Sequence, residues 1–285
     1  MVYVNGIFAS GKEASISVFD HGLLYGDAVF DTIRLYEGML FKLDDHIDRL
    51  FDSAKGIAIS PSITKTELSE VVKETVRRNK LKNAHIRIVL TRGLGVPGLD
   101  PRSCPSPTLI VSAYEFPPIL GRKPLRLLIS TVRKKSFSID AKIKCTNYLD
   151  SVLAKLQATA GNFDDAIMLD KDGFVAESTG SNIFVVRRNE LLTPLPTSCL
   201  RGITRQTILS LSRELRITAT ETFLTPHDLY AADESFLAST GIDGVAPIAE
   251  VDGRKIGEEC PGPITKRISS AYLQLTKTEF LTPVY

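Results

Sequence analysis

The residues that most often carry out chemistry in enzymes are few in this sequence, and they are widely spaced. The four histidines lie far apart, at His21, His46, His85 and His227. The four cysteines also lie far apart, at Cys104, Cys145, Cys199 and Cys260. Each histidine alone is more typical of a packing or surface residue than of a ligand, and the cysteines lack the CxxC spacing of zinc or redox sites. This pattern predicts free thiols, a reducing compartment and no metal site.

A lysine amine can form a Schiff base and then move a proton, but the residues alone do not single out Lys144, in the segment IKCTNYL, for that chemistry. Such a lysine must be partly desolvated so that its pKa falls toward the working pH. Lys142 lies two residues earlier, and spacing does not separate the pair. Because the sequence contains no Walker loop, GxGxxG, HExxH or GxSxG motif, a solvated surface position is the default for both lysines.

The segment RGIT, residues 201–204, stands directly before a predicted helix and is a candidate anion site. The main-chain N–H groups of Ile203 and Thr204 would point at an anion from the amino end of that helix, where the macrodipole also favours negative charge. Thr204 could equally be the N-cap residue of the helix. The two roles are compatible.

Hydrophobic periodicity predicts the elements that must position these residues. Alternating or apolar runs indicate strands over 1–8, 15–19, 31–43, 85–93, 108–116, 125–134, 165–170, 173–178, 182–186, 235–240 and 245–251. Helical spacing indicates helices over 44–57, 64–79, 146–161, 204–215 and 265–275. In the helix over 146–161, one face carries Leu149, Val152, Leu153 and Leu156. Strands that follow strands closely predict an α/β (α+β) fold with a largely antiparallel or mixed sheet.

Length and charge limit the domain count and the classes of partner. The 285 residues are enough for two domains, and the Pro- and Gly-containing segment 118–124 predicts a linker between a small domain, 1–117, and a large domain, 125–285. The 35 basic and 33 acidic residues form no basic stripe, so nucleic acid is not an expected partner. No secretory signal and no apolar run of roughly 20 residues is present, so we expect a soluble, cytoplasmic protein without a membrane partner.

The chain resembles the class IV aminotransferases, the family of branched-chain and D-amino-acid aminotransferases and of aminodeoxychorismate lyase, over nearly its whole length. The resemblance is carried in collinear order by the segments 18–54, 144–155, 164–186, 200–209 and 233–248. It implies fold type IV of the pyridoxal-phosphate enzymes, with a small N-terminal α/β domain and a larger C-terminal domain with a barrel-like sheet. It implies that pyridoxal 5′-phosphate binds between these domains, and that the protein is a homodimer or larger homo-oligomer in which a neighbouring subunit closes the pocket.

The resemblance also implies roles for individual residues. Lys144 matches the lysine that holds the cofactor as a Schiff base, with Lys142 as the alternative if the register differs by two. Glu177 matches the carboxylate that keeps the ring nitrogen protonated, although it could be an ordinary strand-end glutamate. Arg49 matches the phosphate arginine, although an i,i+4 ion pair with Asp45 would also explain it. The other implied cofactor residues are Tyr148, Ile203, Thr204 and Thr240.

The substrate residues that the family implies are Tyr25, Phe30, Arg34, Arg87 and Gly241. With the segment 91–104 and the absence of an RxH pair, they favour branched-chain L-amino acids, with 2-oxoglutarate as the acceptor in ping-pong transamination. D-amino-acid or (R)-amine transamination, aminodeoxychorismate lyase activity and a non-catalytic protein that has kept the fold stay open. The sequence departs from the family motifs at His85, at Phe30-Asp31-Thr32 and at Ser239-Thr240-Gly241. A hydrophobic pocket discriminates only weakly between similar side chains, so these departures could change which substrates the pocket admits.

Overall fold

The computed structural model describes residues 1–115, 120, 123–134 and 140–285, which form two compact units. Unit 1 comprises Met1–Phe116, Ile143–Asn147 and Thr276–Tyr285, and unit 2 comprises Pro117–Lys142 and Tyr148–Leu275. Residues 118, 119, 121 and 122 of the predicted linker lie outside the described residues, so the linker stays a prediction. None of the helices within the described ranges combines the length and the apolar character of a membrane-crossing helix.

Unit 1 contains an antiparallel sheet that packs against two long helices. Its described strands, numbered along the whole chain, are β1 (Val2–Val4), β2 (Ile7–Ala9), β3 (Ala28–Tyr36), β4 (Met39–Phe41), β5 (Ala84–Thr91), β6 (Thr108–Tyr114) and β16 (Leu281–Pro283). They are ordered β16-β4-β3-β5-β6-β1-β2. The described helices are α1 (His21–Tyr25), α2 (Leu43–Gly56) and α3 (Lys65–Asn79), with a 3₁₀ turn at Pro101–Ser103. Apolar side chains of β3, β5 and β6 form one buried core with those of α2 and α3.

The other face of the unit 1 sheet carries polar and aromatic side chains. Side chains of a strand alternate between its two faces, so Phe30, Thr32 and Arg34 of β3 point away from the helical core. The register pairs Thr32 with Arg87 and Arg34 with His85 on β5. Directly opposed residues share a face, so the two arginines lie on the same side of the sheet.

Unit 2 contains a mixed sheet with helices α4 (Leu149–Ala160), α5 (Ile203–Glu214), α6 (Pro226–Tyr230) and α7 (Pro263–Thr278), the last ending within unit 1. Its described strands are β7 (Leu125–Ile129), β8 (Asp165–Leu169), β9 (Val175–Ser178), β10 (Asn182–Arg187), β11 (Glu190–Pro194), β12 (Ala219–Thr222), β13 (Glu234–Ser239), β14 (Gly244–Val251) and β15 (Arg254–Lys255). They are ordered β12-β11-β10-β13-β14-β7-β8-β9, with β15 paired to β14. The pairs β11/β12, β14/β7 and β7/β8 are parallel. The predicted mixed sheet is thus confirmed.

The strand predicted over 15–19 is wrong, because this segment forms a turn. The side chains of Ile16 and Val18, which produce its alternating pattern, are exposed. The Ser17 hydroxyl accepts a hydrogen bond from the Phe19 N–H at 3.1 Å, and the Asp20 N–H donates to the Ser17 carbonyl at 3.1 Å. Apolar alternation produces a strand only where another strand supplies the hydrogen bonds, and 15–19 lies in no strand of the described chain.

Candidate functional site

Unit 1 contains a buried charge cluster centred on the Asp31 carboxylate. Asp31 is fully buried on the core side of β3, and α2 supplies His46 and Arg49, which lie one turn apart. Arg49 donates from Nε to Oδ2 and from Nη2 to Oδ1, both at 2.8 Å. His46 Nδ1 lies 2.7 Å from Oδ1. Because an ionised carboxylate only accepts hydrogen bonds, the Nδ1 atom of His46 carries the proton in this contact.

Burial and charge act in opposite directions on this cluster. Burial alone would raise the pKa of Asp31, but the positive charge of Arg49 and the contact with His46 outweigh it and hold that pKa well below its usual range. Burial lowers the pKa of His46, which the Asp31 carboxylate opposes only in part, and Arg49 and Lys144 lower it further. At neutral pH the cluster therefore contains an ionised Asp31, a charged Arg49 and a neutral His46.

Lys144 is held beside β3 through its main chain. Its carbonyl accepts a hydrogen bond from the Phe30 N–H at 2.9 Å, and its own N–H donates to the Ser53 hydroxyl of α2 at 3.1 Å. Its ammonium lies 4.5 Å from the centre of the Phe30 ring. Lys142, by contrast, has a side chain that is 46% exposed and pairs with Asp140 at 3.2 Å in unit 2. The side chain with a fixed and partly apolar environment is therefore that of Lys144.

The predicted substrate residues of unit 1 fall into two groups. Phe30, Arg34 and Arg87 lie on the outer face of the sheet, where the Arg87 guanidinium carbon is 3.9 Å from the centre of the Phe30 ring. Tyr25 ends the short helix α1 and is 38% exposed. Its hydroxyl accepts a hydrogen bond from the Gly98 N–H at 2.7 Å. Tyr25 is thus attached to the glycine-rich segment 91–104.

Unit 2 contains a second buried carboxylate, that of Glu177 at the end of β9. Lys134 Nζ lies 2.9 Å from Oε1 of Glu177, and the side chains are 14% and 9% exposed. Oε2 accepts hydrogen bonds from the Leu200 N–H at 3.1 Å and from the Asn182 amide at 3.3 Å. The three partners are all donors, so both oxygens of Glu177 act as hydrogen-bond acceptors. The burial and the three donors distinguish Glu177 from a solvent-exposed strand-end glutamate, and its role stays a prediction.

The amino end of α5 is kept close to Glu177 by Asn182. Besides contacting Glu177, the Asn182 amide donates to the Leu200 carbonyl at 2.8 Å, just before the N-cap residue Gly202. A Cβ atom at position 202 would lie 2.1 Å from the Asn182 side-chain oxygen, so only glycine fits there. No side chain caps this helix end, and Thr204 lies in its first turn. The amide groups at this end are therefore suited to an anion.

Tyr148, Thr240 and Gly241 lie elsewhere on unit 2. Tyr148 is the N-cap residue of α4, and Lys134 Nζ is 5.5 Å from its ring centre. Thr240 and Gly241 form the 3₁₀ turn between β13 and β14. A cavity of about 370 Å³ borders on Tyr148 and Gly241 and on the apolar side chain of Ile242. The predicted residues of this unit thus lie at the amino end of α5, around Glu177 and beside this cavity.

Reasoning from the sequence missed several residues that the structure connects to the predicted ones. Asp31 was noted only as a departure from a motif, and His46 only as a packing or surface histidine. The spacing of His46 and Arg49 on one helix was an available signal. Lys134 and Asn182 had no such signal, because Lys134 is far from Glu177 in the sequence and meets it only through the sheet. Within the described chain, no group of three or more His, Cys, Asp and Glu side chains could hold a metal ion.

Comparison with known proteins relates this chain to aminotransferases. The model of the family "Amino-transferase class IV" matches residues 28–251. A protein of Methanocaldococcus jannaschii, whose name assigns it provisionally to the branched-chain-amino-acid aminotransferases, is 46% identical over 100% of this chain and 99% of its own length. A D-alanine aminotransferase of Bacillus licheniformis is 34% identical over 95% of each chain. Sequence identity alone therefore does not decide the stereochemistry of the substrate.

Solved structures agree with this relationship. The branched-chain amino acid aminotransferase of Escherichia coli superposes with a TM-score of 0.96 at 32% identity, over 100% of this chain and 99% of that chain. The same kind of enzyme from Thermoproteus uzoniensis, solved with norvaline, gives a TM-score of 0.94 at 37% identity, over 100% of this chain and 99% of that chain. A further branched-chain amino acid aminotransferase, solved with pyridoxamine 5′-phosphate, gives a TM-score of 0.95 at 33% identity, over 100% of this chain and 98% of that chain. The two-domain fold type IV that the sequence predicts is confirmed by these likenesses.

The buried cluster predicts how His46 contributes to stability as the pH falls. The unfolded chain binds a proton on this residue below about pH 6.5, whereas the buried His46 stays neutral, so the unfolded state binds more protons and stability decreases. Between pH 7.5 and 5.5, His46→Asn should lose about 1 kcal/mol less unfolding free energy than the unmodified chain. Urea denaturation at the two pH values measures this. The exposed His227→Asn is the control and should keep the original slope, and an equal slope in His46→Asn would contradict the prediction.

Proposed function

We propose that this chain, which belongs to the class IV aminotransferase family, moves an amino group between a branched-chain L-amino acid and 2-oxoglutarate with pyridoxal 5′-phosphate as cofactor. The observation that carries the proposal is the environment of Lys144, whose main chain is held on both sides and whose ammonium lies against Phe30. A reactive amine must be presented in a fixed direction and be partly shielded from water, and this environment provides both conditions.

The residues present fit the chemical groups of this cofactor. Its phosphate requires fixed positive charge and N–H donors. Two nitrogens of Arg49 are held by Asp31, and the third, Nη1, has no hydrogen-bond partner among the described residues. The first turn of α5 has no side-chain cap, so its amide groups at Ile203 and Thr204 are suited to the same phosphate. Glu177 provides an ionised carboxylate for a protonated ring nitrogen.

When bound, the cofactor supplies an aldehyde that bonds to an amine and a ring that accepts electrons from the substrate Cα. Lys144 would hold this aldehyde through its amine and would carry the proton that leaves the substrate Cα. Glu177 would face the ring nitrogen and Tyr148 the ring oxygen. Arg49, Thr204, the Ile203 N–H and the Thr240 hydroxyl would hold the phosphate. Fixed positions for these groups reduce the entropy cost of each transfer.

The substrate assignment rests on the outer face of the unit 1 sheet. We assign Phe30 to contact with a branched aliphatic side chain because its ring is the apolar group at this face, where it is 6% exposed. Arg87 lies across this ring, and Arg34 lies on the same face, so we assign a guanidinium of this face to the second carboxylate of 2-oxoglutarate. We assign Tyr25 and Gly241 to substrate binding because they match the family positions. An apolar ring beside guanidinium groups suits both partners of a ping-pong reaction.

Absorbance tests the role of Lys144. The unmodified chain, incubated with pyridoxal 5′-phosphate and freed of excess by gel filtration, should be yellow and keep a visible absorption band that Lys144→Ala lacks. Lys142→Ala is the matched control and should keep the band, since its side chain is exposed and pairs with Asp140. A colourless unmodified chain that takes up no cofactor would refute the proposal. Loss of the band in Lys142→Ala alone would move the assignment to that lysine.

Coupled assays test the substrate. With 2-oxoglutarate as acceptor, L-leucine, L-valine and L-isoleucine should each yield glutamate, and D-alanine and an (R)-amine should react at least about a hundredfold more slowly, since a misoriented Cα proton loses the geometric advantage of the site. Arg87→Gln should raise the KM for 2-oxoglutarate more than that for leucine. Faster turnover of D-alanine than of L-leucine would overturn the branched-chain assignment while leaving the cofactor assignment intact.

We also propose that the protein is a cytoplasmic homodimer. Unit 2 presents a stripe of apolar side chains on α4 that are 64% (Leu149), 51% (Val152), 46% (Leu153) and 59% (Leu156) exposed. A contiguous exposed apolar stripe on a helix is typical of a surface that is covered by a partner. The location rests on the four free cysteines, which suit a reducing compartment.

Light scattering coupled to gel filtration tests the dimer. The unmodified chain should elute with twice the mass of one chain, and Leu149→Asp/Leu153→Asp should elute as a monomer, since burying two carboxylates in an apolar interface is strongly unfavourable. Leu273→Asp on α7, which is 43% exposed, is the control and should remain dimeric. If the α4 double variant stays dimeric, the stripe is not the interface.

A further inference from the structure

Lys134 has a fixed position between Glu177 and Tyr148, the two residues that the proposed function assigns to the cofactor ring. Its main-chain N–H donates to the Leu169 carbonyl at 2.9 Å, which holds it beside the sheet of unit 2. Its ammonium lies 2.9 Å from Glu177 Oε1 and 5.5 Å from the centre of the Tyr148 ring. With a side chain that is 14% exposed, it is a largely buried cation. No step of the proposed reaction uses it.

We propose that Lys134 is a positioning residue that acts through Glu177 to keep the proton on the ring nitrogen of the bound cofactor. The inference rests on the proposed function, because it concerns a ring nitrogen that faces Glu177. A carboxylate and a ring nitrogen in contact can share one proton in two ways: as carboxylate and protonated ring, or as carboxylic acid and neutral ring. Only the first arrangement gives a strong electron acceptor.

The position of the Lys134 charge decides between the two arrangements. Its ammonium contacts the carboxylate directly, so it stabilises a negative Glu177 over a neutral one. The other partners of Glu177, the Leu200 N–H and the Asn182 amide, are neutral donors. Lys134 therefore supplies the positive charge that the carboxylate needs in a buried environment.

The ionisation of the surrounding groups is consistent with this role. Burial alone would lower the pKa of Lys134, but the Glu177 carboxylate, Tyr148 and Asp150 raise it well above its ordinary value, so the ammonium stays charged at neutral pH. Cys199 is also near Glu177, and burial with the Glu177 charge raises the pKa of its thiol to about 12, so this thiol is neutral. Lys134 and Glu177 thus form an ion pair, with Asp150 and Tyr148 as the other titratable groups around the lysine.

The test reads the proton on the ring nitrogen directly. The chain is reconstituted with pyridoxal 5′-phosphate carrying ¹⁵N in the ring, and the ¹⁵N resonance of the bound cofactor is recorded at pH 7.5 together with the cofactor dissociation constant. The variants are Lys134→Met, which removes the charge, and Lys134→Arg, which keeps it. Lys266→Met is the matched control, because it breaks a Lys–Glu pair of 3.0 Å with Glu259 that is exposed. If Lys134→Met fails to fold, Lys134→Gln retains a donor toward Glu177 without the charge and gives the same reading.

The unmodified chain, Lys134→Arg and Lys266→Met should show a protonated ring nitrogen. Lys134→Met should shift the proton distribution toward Glu177 by at least about tenfold, the effect of one pKa unit. Its kcat should fall by about tenfold or more while KM changes little, since the lost interaction acts on the transition state. An unchanged ¹⁵N resonance in Lys134→Met or Lys134→Gln would overturn the inference and leave the proposed function standing. An unmodified chain that binds no cofactor would overturn both.

Discussion

The bonds of the buried Asp31 carboxylate determine where the functional side chains of unit 1 lie. A carboxylate on the core side of a strand is unfavourable unless donors surround it, and α2 supplies them from one face, through His46 and Arg49. Ser53, one turn further along the same face, holds the main chain of Lys144. The helix, the strand and the lysine segment are therefore fixed to one another by hydrogen bonds that apolar packing alone would not specify.

Unit 2 also contains a buried carboxylate, and a different set of donors satisfies its oxygens. Glu177 is buried at the end of β9, and its oxygens are satisfied by Lys134, Asn182 and the Leu200 N–H. Asn182 also fixes the loop before α5, and the contact of its oxygen with position 202 requires glycine there. Removing a partner from such a carboxylate leaves a charge uncompensated in a medium of low polarity. The requirement to satisfy Glu177 thus also determines where the amino end of α5 lies.

The sequence predicted the elements whose periodicity is decided locally. The helices that became α2, α3, α5 and α7 have apolar faces that pack against a sheet, and they were predicted within a few residues. The strand prediction over 15–19 was wrong because apolar alternation does not reveal whether a partner strand exists. The stripe of α4 was read correctly as one face, but its residues are exposed, and the buried face of this helix carries the small side chains of Ala154 and Ala158. Sequence periodicity identifies a face and not what covers it.

The hydrogen-bond partners of Asp31 explain why this carboxylate orients the Arg49 side chain instead of contacting a substrate. Its oxygens accept bonds from the Thr32 N–H at 2.7 Å, from His46 at 2.7 Å and from two nitrogens of Arg49 at 2.8 Å. Three of these contacts are to Oδ1 and one is to Oδ2, so protein donors engage both oxygens of the carboxylate. Because Asp31 is fully buried and its pKa is held low by Arg49 and His46, the carboxylate of the Phe30-Asp31-Thr32 departure is suited to a supporting role. The bidentate contact fixes the plane of the Arg49 guanidinium, so its remaining nitrogen, Nη1, points in one direction. An arginine that binds a phosphate at a defined position requires such a fixed direction.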